Sequence, residues 1–373
     1  MVALATMATH RETALVAERV LTREALNRAL LARQGLLERV RLTPERAVER
    51  FGGLQTQYAP SGYVGLWSRL DGFARDDLTA ALTSGRVVQA WAMRCTIHMV
   101  SRADHAPLTA AVRLPRRGYW MRLHKGHDEE RFVEASALVR ARLADGPATQ
   151  AALVATLTDA GLDRALFPGT QLWTDMVRVP PAGTWERPRA HVYGLATDHL
   201  GAAAPAGSPE PADVVAAGEE LLVRRYLRGF GPASAPDVAR WAGVTVGTVR
   251  AAVERLDLRR FRAEDGAELV DLPRAPLPDP GVPAPVRFLS TFDAALLLGH
   301  ASRAGVVPAG CRDRVFHRSI PQSVPTVLVD GRVAGSWRVT EGRVVVTPFA
   351  ELTTRQAREV GDEAERLAAF WTG

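Results

Sequence analysis

The chain has 373 residues, 47% of them hydrophobic and 24% charged, with a mean hydropathy of -0.06; this is the composition of a globular protein of two or three domains. No apolar run approaches the roughly 18 residues of a membrane helix. The opening MVALATMATHRETALVAERV mixes Arg11, Glu12, Glu18 and Arg19 into its apolar stretch, so neither a leader nor an anchor is expected and placement is cytoplasmic. Two cysteines, Cys95 and Cys311, are too few for a disulfide framework or a cysteine-rich zinc site. The net charge is +6 and the isoelectric point about 9.9. Among 47 basic residues there is one lysine, Lys125, and the arginine forks suit phosphate and base edges.

In chain order, residues 1–19 form a tail. Helices are expected at about 23–33, 43–52 and 75–84, followed by VVQAWAMRCTIHMV, which alternates like a hairpin. A second stretch repeats that order: a helix from Phe132 to Leu143, a Thr149-capped helix to Ala160, a break at Gly161, a helical stretch at about 169–179, and the strand-like TWERPRAHVYGLA. The clearest pattern lies at 234–272. Ser234 caps a helix through Trp241, Gly243 breaks it, and Thr245 caps a second helix with Val246, Val249, Val253 and Leu256 on one face. Two short strands then flank Asp265-Gly266, a type I′ turn signal. A helix-turn-helix followed by such a hairpin is a winged helix.

The expected fold is therefore α+β, with three tandem winged helix-turn-helix units at 20–105, 106–200 and 216–275 forming a basic concave surface. A linker at 201–215 precedes the third unit. A stiff Pro-rich segment at 273–285 leads to a small β domain at 286–373, with Asp330-Gly331 as a turn and a C-terminal helix from Thr353 to Trp371.

Tandem winged helices serve either regulation or catalysis on a held duplex. The outward residues of the third unit's second helix, Thr248, Arg250, Glu254 and Arg255, include no Asn or Gln to address adenine, which leans against a transcriptional regulator. There is no P-loop, HExxH or GxSxG. His124 and His127 are spaced for a metal but sit in a polar stretch that reads better as a solvated turn. His98 stands in an alternating strand, where a hydrogen-bonded sheet residue is the plainer reading. Gln55-Thr56-Gln57 places two amides on one side of a segment if it is locally extended; from the residues alone an ordinary surface loop is the plainer reading.

ERFGGLQTQYAPSGYVGLWSRL, RCTIHMV, YLRGFGPASAPDVARWAG, FDAALLLGHASR and VLVDGRVAGSWR together resemble the winged-helix DNA glycosylases of the AlkZ/YcaQ type over about residues 20–350. Gln55-Thr56-Gln57 matches the Gln-x-Gln element of the AlkZ branch rather than the Gln-x-Asp of the other. The resemblance implies a monofunctional glycosylase that excises N7-alkylated purines and unhooks interstrand crosslinks in repair or self-resistance. Gln55 and Gln57 would be catalytic, no metal or cofactor would be needed, and the partner would be duplex DNA, with no membrane or obligate protein partner. A crosslinked base cannot be extruded singly, so a probing element is expected between Ser302 and Gln322, where Arg303, Arg312, Arg314, His317 and Arg318 cluster. Arg94 and Arg338 are further phosphate contacts, and His98, Asp293 and His300 candidate supports of the site. A non-catalytic lesion or drug binder is a third, weaker reading.

Overall fold

The computed structural model describes residues 19–201, 210–293, 295, 305–316 and 323–373. The chain begins with β1 (Val20–Leu21), α1 (Arg23–Arg33), α2 (Pro44–Phe51), β2 (Leu54–Gln55), α3 (Ala59–Arg69), α4 (Arg75–Thr83), β3 (Val87–Trp91) and β4 (Ile97–Ser101). It continues with α5 (Arg102–Leu123), α6 (Glu129–Ala144), β5 (Ala148–Thr149), α7 (Gln150–Asp159), α8 (Phe167–Thr170), β6 (Met176–Arg178), β7 (Val192–Leu195) and α9 (Ala196–Leu200). Next come α10 (Ala212–Phe230), α11 (Ala235–Ala242), α12 (Val246–Glu254), β8 (Arg259–Ala263) and β9 (Glu268–Asp271). Strands β10 (Arg287–Leu289), β11 (Thr326–Val329), β12 (Arg332–Thr340) and β13 (Arg343–Pro348) precede the C-terminal helix Thr354–Thr372. This is the expected mixture of helix and sheet.

The caps read from the sequence are present. Thr149 accepts from the Ala152 N–H at 3.2 Å, Ser234 and Asp237 cap α11 reciprocally, and Thr245 accepts from the Thr248 N–H at 3.1 Å. Gly243 ends α11 in the left-handed region at φ 76°, which a glycine adopts without a Cβ clash. Helices α11 and α12 therefore form a helix-turn-helix, followed directly by the β8–β9 hairpin. Tyr226 and Phe230 of α10 pack against Trp241 of α11, ring against ring.

Three sheets organise the rest. The hairpin β8–β9 gains β1 as a parallel third strand, Val20 opposite Arg262. The strands of 286–349 form an antiparallel sheet in order β10-β11-β12-β13. The hairpins of the first two stretches merge into one six-stranded sheet, β2-β4-β3-β6-β7-β5. In its central row Gln55 stands opposite His98, His98 opposite Ala90, Ala90 opposite Val177, and Val177 opposite Gly194. The largest apolar core joins Leu30, Val100 and Val112 to Tyr226, Trp241 and Val253 and reaches Leu289 and Leu328.

Several local expectations are corrected. Residues 59–69, where no helix is read from the sequence, are a helix buried on nearly every side; such a helix has no polar face and hence no period to detect. Helix α5 runs 22 residues through Pro107 and Pro115, which sequence rules read as breaks. It is held by packing against α10, where any Cβ on Gly218 would collide with the Pro107 carbonyl. The helical stretch at 169–179 yields instead to β6, because pairing with β3 and β7 outweighs local preference. Only Val192–Leu195 of TWERPRAHVYGLA is strand, and α10 already begins at Ala212, within the expected linker. At Asp265-Gly266 only the glycine is left-handed, so that turn is not type I′. Asp330-Gly331 does have both residues at positive φ, 46° and 74°, as type I′ requires.

Candidate active site

Gly52 and Gly53, at φ 78° and 77°, end α2 and turn the chain into β2. The backbone N–H of Thr56 then donates to the Ile97 carbonyl at 2.8 Å, and the Thr56 side chain is fully buried. An extended segment alternates its side chains, so burying Thr56 turns Gln55 and Gln57 outward on the other side. Gln55 is half-buried and Gln57 exposed, with the Gln55 Nε2 donating to the Gln57 Oε1 at 3.2 Å. The two amides expected to share a side thus meet.

The β3–β4 turn supplies the groups beside them. Arg94 Nη2 donates to the Gln55 Oε1 at 2.7 Å, and Arg94 Nη1 donates to the Trp241 carbonyl. Burial, and then the charge of Arg116, push the Arg94 guanidinium down to about 10. Arg116 sits in α5 with 1% exposure, donates to the Ala92 carbonyl, and is likewise pushed down to about 10, chiefly by burial. Two arginines thus stand together beside Gln55, which suits a phosphate backbone.

Opposite Gln55 in the sheet, His98 is 2% exposed. Its Nδ1 lies 2.9 Å from the Thr96 carbonyl, so Nδ1 carries the proton and Nε2 keeps its lone pair. Burial and then Arg94 hold its pKa well below the ordinary histidine value, against the Thr96 hydrogen bond that raises it, with Arg116 adding to the lowering. At neutral pH it is an uncharged neighbour of the amides.

The remaining sequence candidates fall elsewhere. Asp293 forms a two-pronged pair with Arg69, at 2.8 and 2.9 Å, both side chains at most 1% exposed; it braces α3 against the chain that follows β10 and lies in the core. Arg312 sits over the Phe316 ring. Arg314 lies over the Phe349 ring at 4.1 Å and donates to the Phe349 carbonyl, and Arg338 is exposed on β12 opposite Val345. His300, Arg303, His317 and Arg318, with both ends of the expected probing element, lie outside the described residues. His124 stacks on Trp120 and His127 faces Asp163 at 3.4 Å; among the described residues no cluster of His, Cys, Asp and Glu could hold a metal. No described helix is long and apolar enough to cross a membrane. Sequence reasoning missed Arg116, since an arginine on a helix carries no signal that it will be buried.

Comparison with known proteins shows the family of the chain. A curated protein of Streptomyces sahachiroi, named an interstrand DNA cross-link repair glycosylase, is 22% identical over 370 residues, covering 91% of this chain and 93% of the relative. The solved structure of the Streptomyces sahachiroi DNA glycosylase AlkZ superposes with a TM-score of 0.76 at 19% identity, over 95% of this chain and 97% of that one, which shows a shared fold. The family described as DNA glycosylase AlkZ-like matches residues 48–370. This chain belongs to the AlkZ-like family of DNA glycosylases.

Proposed function

We propose that the protein hydrolyses the N-glycosidic bond of N7-alkylated purines in duplex DNA, unhooks interstrand crosslinks made through guanine N7, and leaves an abasic site. The observation that carries this reading is the contact between Gln55 and Gln57 at a strand end, held by Arg94. The name of the Streptomyces sahachiroi relative supports the crosslink part.

Alkylation at N7 leaves the guanine cationic. When the C1′–N9 bond breaks, its electron pair goes to N9 and neutralises the base, so no general acid is required. The sugar is left oxocarbenium-like. A water oxygen then bonds to C1′ and its proton passes to solvent. Two neutral amides cannot take that proton at neutral pH, but their carbonyls accept from water and their NH2 groups donate, which fixes its approach. An ordinary neutral purine would stay in place, so weak equipment acts as a filter. Neutral His98 adds no further cation to a site that already holds Arg94 and Arg116. Lys125 is exposed on the segment between α5 and α6, and strand cleavage through a Schiff base is not part of the reading.

The architecture fits as three winged units at 20–105, 106–200 and 216–275, plus the β domain at 286–373, presenting Arg312, Arg314 and Arg338 to phosphates. The chain would act as a cytoplasmic monomer. The test is a duplex with one N7-methylguanine, scored for free base and alkali-labile sites. Wild type releases the base, and Gln55→Ala or Gln57→Ala lowers the single-turnover rate about 100-fold, as for loss of one aimed polar group. Sequence-selective binding without release would replace this reading with a regulator.

A further inference from the structure

We propose that Arg94 is the positioning residue of this site: it fixes which way the amides of Gln55 and Gln57 face and ties both to the helix-turn-helix at Trp241. The inference rests on the glycosylase reading and names a role for a residue that the sequence suggests as a phosphate contact.

A glutamine amide is nearly symmetric in shape, and only its hydrogen-bond partners decide which end is oxygen. Arginine offers donors alone. With Arg94 Nη2 2.7 Å away, the atom of Gln55 facing it has to be Oε1. The NH2 of Gln55 then faces Gln57, which has to answer with its own Oε1. Donation runs one way, from Arg94 to Gln55 to Gln57, and delivers a defined set of lone pairs and N–H groups to the exposed end of the chain, where water would sit. Without Arg94 either amide can turn over independently, and the pair no longer presents one pattern.

The other arm anchors the arrangement. Nη1 donates to the carbonyl of Trp241, in the last turn of α11, where helix carbonyls lack intrahelical partners. Two residues on, Gly243 presses on the same turn: a Cβ there would stand 3.3 Å from the backbone N and Cα of Arg94. Arg94 and Cys95 both hold positive φ, 56° and 55°, a conformation that side-chain-bearing residues keep only where the surroundings impose it. Both terminal nitrogens of this half-buried side chain are thus engaged within the protein, leaving little of it for a phosphate.

The experiment uses the full chain and a duplex with a single N7-methylguanine, measuring the single-turnover release rate and, separately, duplex affinity across a salt series. Arg94→Met is expected to slow release about 10- to 100-fold, as for loss of a hydrogen bond to a charged group, with affinity and its salt slope unchanged. In the Gln55→Ala background it should add less than about twofold, because both changes break one chain. A fall in affinity, with a salt slope smaller by about one and an intact saturated rate, overturns the proposal in favour of a phosphate contact. Multiplying effects in the double variant overturn it as well. Should Arg94→Met fail to fold, Arg94→Gln carries the comparison, because its amide can face Gln55 with either a donor or an acceptor: slower release at unchanged affinity supports the proposal and a wild-type rate refutes it. If the wild type releases no base, the glycosylase reading fails by itself. Amide polarity is then read from the Gln55 and Gln57 side-chain 1H–15N resonances, which Arg94→Met or Arg94→Gln displaces if Arg94 sets them and leaves in place if it does not.

Discussion

Replacing Asp293 by alanine separates a structural role from a catalytic one. The carboxylate receives two charge-assisted bonds from Arg69, at 2.8 and 2.9 Å, with both side chains at most 1% exposed. After the change Arg69 keeps its bonds to Gln34 and to the Gly65 carbonyl and its place 5.7 Å from the Phe51 ring, but its charge has no counterion in that pair. Breaking a buried pair from one side costs about 3–5 kcal/mol. With an unfolding entropy of about 2.1 cal/mol/K per residue and 373 residues, a chain unfolding as one unit should lose about 4–6 °C in Tm. Removing both charges with Arg69→Met and Asp293→Leu should cost less than either single change, since no lone charge stays buried. Thermal melts in one buffer measure this, and base release per folded molecule measures the rest, expected within about threefold of wild type. A stability loss under about 1 kcal/mol would refute the buried-charge argument, and a tenfold loss of rate in the folded variant would return Asp293 to the active site.

The pH dependence follows from His98 and His105, both held below the ordinary histidine value chiefly by burial, against the raising Thr96 hydrogen bond at His98 and Asp175 charge at His105. Below about pH 6.5 the unfolded chain gains protons on these rings that the folded chain refuses. Their contribution to stability is therefore complete above that pH and is lost as the pH falls further. The saturated rate of base release should be level from about pH 7 to 9, with Arg94 titrating only at about 10; an inflection near the ordinary histidine value would show that a histidine proton takes part. Gly243→Ala and Gly266→Ala form a matched pair, both at positive φ. Each should lose about 1–2 kcal/mol in a denaturation series, but only Gly243 lies against Arg94, while nothing stands within 4 Å of a Cβ at Gly266. Gly243→Ala alone should also slow the saturated rate, and equal rates in the two variants would break the link between that turn and the amides.

Much of the local structure is written in the sequence because it is decided within a few residues. The α11–α12 helix-turn-helix follows from Ser234, Gly243 and Thr245, whose caps act over three positions, and the turn at Asp330-Gly331 follows from its own dihedral preferences. The shared side of Gln55 and Gln57 follows from strand periodicity. Helix α3 was not legible, since a segment enclosed on all sides has no amphipathic period, nor was α5, where packing on α10 prevails over two prolines. The setting of the glutamines was out of reach for a further reason. Arg94 meets Gln55 across 39 positions and Trp241 across 147, and Arg69 meets Asp293 across 224. A side chain's identity states what it can donate or accept, but the closure of long loops decides what it meets and how much water stays beside it. Residue types alone therefore point to two amides and many arginines, while tertiary packing selects which arginine is buried against which amide.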